Sequence, residues 1–172
     1  ENNIPAVIAS TGQTPEEIEL IKAASKKVPI FLSANMSLGV ALLVELAKIT
    51  AKNFPYADIE IIEKHHNRKL DAPSGTALLV AEAIKSVREK TKFVFGRHGQ
   101  AKRTPEEIGI HAVRMGNIIG EHEVIVGTDT QTITLKHEAH SRALFAEGAI
   151  KAAAFLQGKP AGLYNMESMI ND

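Results

Sequence analysis

YADIEIIEKHHNRKLDAPSGTALLVAE, residues 56–82, changes its period halfway along. In the first half Ile59 and Ile61 fall on one side of an extended chain and Glu60 and Ile62 on the other, which predicts a strand over Tyr56 to Glu63. From Thr76 to about Glu89 the period becomes helical, with Ala77, Val80, Ala81, Ile84 and Val87 on one side. Between the halves lie two adjacent histidines, a lysine three residues beyond them, and an Asp-Ala-Pro-Ser-Gly-Thr turn. A strand end thus feeds basic side chains straight into a helix N-terminus.

Upstream, Ala6 to Ala9 is a short apolar run, followed by the small-residue turn Ser10-Thr11-Gly12. Thr14-Pro15-Glu16-Glu17 is a capping box with Pro at the first helical position. Ile18, Ile21 and Ala24 keep helical spacing, and Pro29 to Leu32 is a second strand. A β-α-β unit of this kind predicts parallel pairing. Ser37 to Asn53 has the helical period in Val40, Leu43, Val44 and Ala47. Because the chain opens almost at once on a buried strand, Glu1 is not expected to be the natural start.

Downstream, Phe93 to Gly109 is rich in glycine and is expected to be loop. Ile108 to Met115, Glu121 to Val126 and Thr132 to Ala139 look like three strands, and their short turns suggest an antiparallel meander. Ser141 is then expected to cap a helix with Phe145, Ala149, Ala152, Ala153 and Leu156 along one side, stopped by Gly158.

The 172 residues suffice for one sizeable core, or for one domain with part of another. Twenty basic residues balance twenty acidic ones, which gives no electrostatic case for nucleic acid or an anionic membrane. No apolar run approaches the roughly 18 residues of a spanning helix. Cysteine is absent, so disulfides, thiolate metal sites and catalytic thiols are excluded. A cytoplasmic location is the default expectation.

The chemistry of the opening stretch follows from its residue types. Neighbours on a strand point to opposite faces, so His65 and His66 cannot easily share one metal ion, and no acidic partner stands at helical spacing. The histidines are therefore either hydrogen-bonded structural residues or pocket-lining groups that handle protons near neutral pH. Lys69 follows in the same loop. Ser74, Gly75 and Thr76 open the next helix, where unpaired amides and the positive end of the dipole attract anions. Ser74 can also simply cap that helix. Together these groups suit a small carboxylate or phosphate that must be protonated. The G-x-x-x-x-G-K phosphate loop and the G-x-S-x-G elbow are both missing.

HHNRKLDAPSGTA resembles the signature of the 4-hydroxy-tetrahydrodipicolinate (dihydrodipicolinate) reductase family, and VIASTG, SANMSLGV, RMGNIIGEHEV, HSRALFAEGAIKAAAFL and GKPAGLYNM resemble further family segments in the same order. The resemblance implies an oxidoreductase of lysine and diaminopimelate biosynthesis that uses NADH or NADPH to reduce a cyclic unsaturated dicarboxylate to tetrahydrodipicolinate. It implies that His65 is the proton donor/acceptor and Lys69 a second proton donor. Substrate binding would fall to His66, Ser74, Gly75 and Thr76. Cofactor contacts would fall to Ala9, Ser10 and Thr11 and to Ser33, Ala34, Asn35 and Met36. Ala9 and Ser10 stand where the family pattern has Gly and Thr. No metal is implied.

The expected fold combines α/β and α+β parts. Residues 37–140 form a substrate-binding and oligomerisation domain, with a mixed, largely antiparallel sheet and helices on one face. Residues 1–36 and 141–172 are remnants of a Rossmann-type dinucleotide-binding domain. The resemblance further implies a homotetramer assembled through that sheet, with Ile118-Ile119 and Val124-Ile125-Val126 on the joining face, or else buried under the domain's own helices. The glycine fingerprint that holds a pyrophosphate occurs nowhere in the 172 residues, so the chain is expected to be a C-terminal portion, inactive alone. Two other readings are a non-catalytic module that binds a small dicarboxylate or drives assembly, and a Schiff-base enzyme using Lys69.

Overall fold

The computed structural model describes residues 4–172. In chain order its elements are β1 (Ala6–Ile8), α1 (Pro15–Ser25), β2 (Pro29–Leu32), α2 (Leu38–Asn53), β3 (Asp58–His65), α3 (Gly75–Val87), β4 (Lys92–Phe95), β5 (Glu107–Arg114), β6 (Glu121–Gly127), β7 (Thr132–Glu138), α4 (Ala143–Phe155), β8 (Gly162–Tyr164) and α5 (Met166–Ile170). They form two compact units, Glu1–Ala41 with Arg142–Asp172, and Leu42–Ser141.

In the first unit β1, β2 and β8 make a parallel three-stranded sheet with β2 at its centre. α1 starts where the sequence signals it. Thr14 Oγ1 accepts the Glu17 amide, and Glu17 Oε2 accepts the Thr14 amide at 2.8 Å. These bonds satisfy donors that a helix start leaves open. Phe31, Met36, Ala152, Leu156 and Met166 make the core of the unit. The Phe155 ring bridges Phe31 and Tyr164 edge-on, with centroids 6.1 and 5.6 Å away. α4 begins later than a Ser141 cap implies: its N-cap is Arg142, which makes no side-chain capping bond.

The second unit holds a five-stranded sheet in the order β4-β5-β3-β6-β7. β3 pairs in parallel with β5 and antiparallel with β6. The expected meander of three consecutive strands is therefore wrong, because β3 lies between β5 and β6. β3 has hydrophobic side chains on both faces and shields a ladder edge on each side, as a central strand must. β4 was also unexpected: its four residues, LysPheValPhe, are too few to show a period, and they pair in parallel with β5 through Phe93 and Ile108. β3 extends two residues past the expected end and closes on His65.

One face of this sheet packs on both helices. Ile59, Ile61, Ile108, Ile110, Val124 and Val126 meet Leu43, Ala47 and Ala51 of α2 and Ala77, Val80, Ala81 and Ile84 of α3. Val124 and Val126 are 0% and 2% exposed and belong to this core, so only Ile125 of that triplet points to the outer face. Ile118 and Ile119 lie in the β5–β6 connection rather than on a strand. At one end the apolar face turns polar, and there Glu63, His65 and His122 are buried.

Candidate active site

The opening motif occupies the end of β3 and the start of α3. Alternation places Ile59, Ile61, Glu63 and His65 on the inner face of β3, so the strand's last two inward positions are a carboxylate and an imidazole. Glu63 is 0% exposed. Its Oε2 accepts from His65 Nδ1 at 2.6 Å and from Arg114 Nη1 at 2.8 Å. Its Oε1 accepts from Arg114 Nη2 at 2.7 Å and from the Ser74 amide at 2.9 Å. Burial alone pushes the Glu63 carboxyl up, but the hydrogen bonds from His65, Arg114 and Ser74 more than offset it and bring it down to about 2. Glu63 is thus an anion at neutral pH and can only accept, which puts the hydrogen of neutral His65 on Nδ1.

Ser74 is the N-cap of α3. Its Oγ accepts the Ala77 amide at 3.2 Å and lies 3.1 Å from His122 Nε2. With its own amide given to Glu63, Ser74 is committed inward and braces the helix start from behind. Gly75 and Thr76 are the first two residues of the helix, at the positive end of its dipole. Gly75 is exposed, and a Cβ built there meets nothing within 4 Å, so the approach to the helix start is open.

His122 packs edge-on against His65, with ring centroids 5.2 Å apart. Burial, aided by the charges of His65, His137 and Lys69 and opposed by Glu63, takes its imidazole down to about 4. It is neutral at physiological pH. Lys69 bonds Asp71 Oδ1 at 2.7 Å, and this ammonium holds the Asp71 carboxyl below its usual range. Arg114 also donates to the Asp71 carbonyl at 2.7 Å, which ties the loop to β5. His66 is half-buried in the turn, where the Lys69 amide bonds its carbonyl at 3.2 Å.

Of the expected site residues, His65, Ser74 and Gly75 meet around Glu63 and the start of α3, and the Lys69 charge acts on His122, whose ring packs against His65. Glu63, Arg114 and His122 were not foreseen. His122 stands in GEHEV, where its inward register could have been counted from Val124 and Val126. Among the described residues no group of three His, Asp or Glu side chains is arranged to hold a metal ion.

The expected cofactor residues lie in the first unit, at the C-terminal ends of the parallel strands β1 and β2. Ser10, Thr11, Gly12 and Gln13 line a cavity of about 500 Å³ there. Small side chains around a strand end suit one end of a dinucleotide. Ser33 Oγ donates to the Asn35 carbonyl at 2.7 Å, and Asn35 Oδ1 accepts the Ser37 amide at 2.8 Å, shaping the turn after β2. Met36 is 3% exposed, so only its backbone can face a ligand. Among the described residues no helix is long and apolar enough to cross a membrane.

A parallel-sheet unit with a strand-end cavity, and a mixed-sheet unit with a histidine beside an open helix start, define an α/β class of protein with two sheet units. The protein-family models described as "Dihydrodipicolinate reductase, N-terminus" and "Dihydrodipicolinate reductase, C-terminus" match residues 1–36 and 39–170. The chain belongs to the dihydrodipicolinate reductase family, oxidoreductases of lysine and diaminopimelate biosynthesis that draw on NADH or NADPH. It is 53% identical over 173 residues to the 4-hydroxy-tetrahydrodipicolinate reductase of Clostridium tetani, covering 99% of this chain and 68% of that one. It is also 53% identical to the protein of that name from Caldanaerobacter subterraneus subsp. tengcongensis, over 99% of this chain and 68% of the relative. A solved structure titled "Dipicolinate bound Dihydrodipicolinate reductase from Paenisporosarcina sp. TG-14" superposes with a TM-score of 0.79 at 31% identity, covering 95% of this chain and 63% of that one. The chain thus spans about two thirds of the length of these relatives.

Proposed function

We propose that this chain carries the substrate-holding and proton-delivering part of a reductase that converts 4-hydroxy-tetrahydrodipicolinate to tetrahydrodipicolinate. The carrying observation is that a buried histidine, a lysine and an open helix N-terminus converge at one end of β3. A substrate carboxylate sits at Gly75 and Thr76, drawn by the amides and the dipole of α3. Lys69 and His66 hold the other end, the substrate competing with Asp71 for the ammonium. His65 and Lys69 supply the proton that matches the incoming hydride. Reduced nicotinamide supplies that hydride when bound, and Ser10, Thr11 and the backbone of Ala9 and of Ser33 to Met36 are the groups in this chain that fit against it.

Residues 37–140 form the substrate domain in this reading, with 1–36 and 141–172 belonging to the dinucleotide domain. The protein works in the cytoplasm as a homotetramer joined through the outer face of the five-stranded sheet. A 172-residue chain without the glycine fingerprint binds dinucleotide weakly and shows no turnover in a hydride-transfer assay; normal activity of the purified chain contradicts this.

Titration with pyridine-2,6-dicarboxylate tests the site itself. The chain is expected to bind it, and Lys69→Ala is expected to weaken binding on the order of tenfold or more, since a hydrogen-bonded charge partner is lost. Equal affinity in the variant removes Lys69 from the site.

A further inference from the structure

We propose that Glu63 and Arg114 are a positioning pair, in which one carboxylate fixes the tautomer and orientation of His65 and clamps the amide that opens α3. The inference deepens the reading of this site as a proton-delivering carboxylate pocket and rests on it.

Glu63 has two oxygens and receives four donors: His65 Nδ1, both Arg114 Nη atoms and the Ser74 amide. That fills the acceptor capacity of a carboxylate. Glu63 therefore takes no part in moving a proton and serves as a fixed anion. Its effect on His65 is directional. With Nδ1–H committed inward, Nε2 is the ring nitrogen left for a ligand, and it points toward Gly120, where a Cβ would come within 3.1 Å. Its effect on α3 is positional. The Ser74 amide is held at 2.9 Å, while Ser74 Oγ caps Ala77, so the first turn carrying Gly75 and Thr76 cannot shift independently of His65.

Arg114 completes the device. It makes the two-pronged bond to Glu63 from β5 and also reaches the Asp71 carbonyl, so the loop bearing Lys69 is referred to the same carboxylate. A buried ion pair is weak evidence for stability as such. Here every bond of Glu63 outside the pair ends on His65 or on the start of α3, which is what an orienting role requires. Among the described residues no other carboxylate bonds His65.

The test uses the full 172-residue chain with ¹⁵N-labelled histidine, read by long-range ¹H–¹⁵N spectra at about pH 9, above ordinary imidazole titration. His65 is expected as the Nδ1–H tautomer; finding mainly Nε2–H overturns the proposal without any variant. In Glu63→Gln, whose amide opposes two of the four donors, His65 is expected to show mixed tautomers. Its affinity for pyridine-2,6-dicarboxylate is expected to fall on the order of tenfold. A folded Glu63→Gln with unchanged tautomer and affinity would falsify the assignment. Should that variant not fold, Arg114→Lys keeps the charge but loses the fork, and the same fall in affinity is expected, unchanged affinity again counting against the pair. If the unaltered chain fails to bind the dicarboxylate, the proposed function fails, while the tautomer still decides the role of Glu63.

Discussion

His122 is buried neutral and Glu63 is buried as an anion, and both make the second unit sensitive to acid. His122 is held neutral down to about 4, mainly by burial, against an ordinary value of 6.5. Between those values the unfolded chain binds a proton that the folded chain refuses, so stability falls as pH drops from 6.5 to 4. The loss is on the order of 3 kcal/mol. His137, also held down by burial, adds in the same direction. Glu63 extends the loss: despite burial its hydrogen bonds bring it from 4.5 to about 2, so its contribution is whole above 4.5 and disappears as pH falls through 2. Urea unfolding across pH 3 to 8 checks this, with His122→Gln expected to flatten much of the slope between 6.5 and 4. An equal slope in the variant would show that His122 is not the group refusing the proton. These two residues also mark where sequence reading stops. His65, Lys69 and Gly75 announce themselves because they stand together in one motif. Glu63 ends the same expected strand but gives no such signal, since Arg114, which forks onto its carboxylate, stands 51 residues away on a strand that joins it only in the folded sheet.

Elements were legible wherever the local signal was long. α1, α2, α3 and β3 carry full turns or clear alternation, and in α1 and α3 the capping residues Thr14 and Ser74 mark the start. Strand order was not legible, because it is decided by which faces and edges bury one another. β3 is the middle strand: its inner residues Ile59 and Ile61 are both 0% exposed, with β5 on one side and β6 on the other. Removing the Ile61 side chain down to Ala leaves a hole between two ladders and two helices that cannot close. A loss of roughly 2–5 kcal/mol is expected in the second unit. In the first unit the tight point is Gly148 on α4, where a Cβ would lie 1.7 Å from the Met36 carbonyl oxygen, a backbone atom. Gly148→Ala must push α4 away from the turn after β2, at a cost of about 1–3 kcal/mol or more. Thermal unfolding followed by circular dichroism measures both, and an unchanged midpoint in either variant contradicts the packing described.

At the scale of the whole molecule, the five-stranded sheet has two unlike faces. α2 and α3 both pack on the inner one. The outer one keeps Ile62, Val113 and Ile125 half-buried, among charges that are already paired. Glu60 bonds Arg103 at 2.6 Å and His111 at 2.8 Å, and Arg97 bonds Glu107 at 2.6 Å. Charges that satisfy one another can be covered by a second sheet without being left alone, and the interspersed Ile and Val side chains gain by leaving water. The alternation that sends Val124 and Val126 inward leaves Ile125 to do this, so the outward apolar strip is narrower than the continuous run Val124-Ile125-Val126 suggests. A symmetric assembly repeats each such contact on every copy. Light scattering is expected to give four times the 18.6 kDa of one chain. Ile125→Lys, which places an unpaired charge in that contact, is expected to yield smaller species that still bind pyridine-2,6-dicarboxylate, because Ile125 is on the face opposite His65. A monomeric parent chain overturns the assembly, and a variant that assembles as the parent does moves the interface off this sheet.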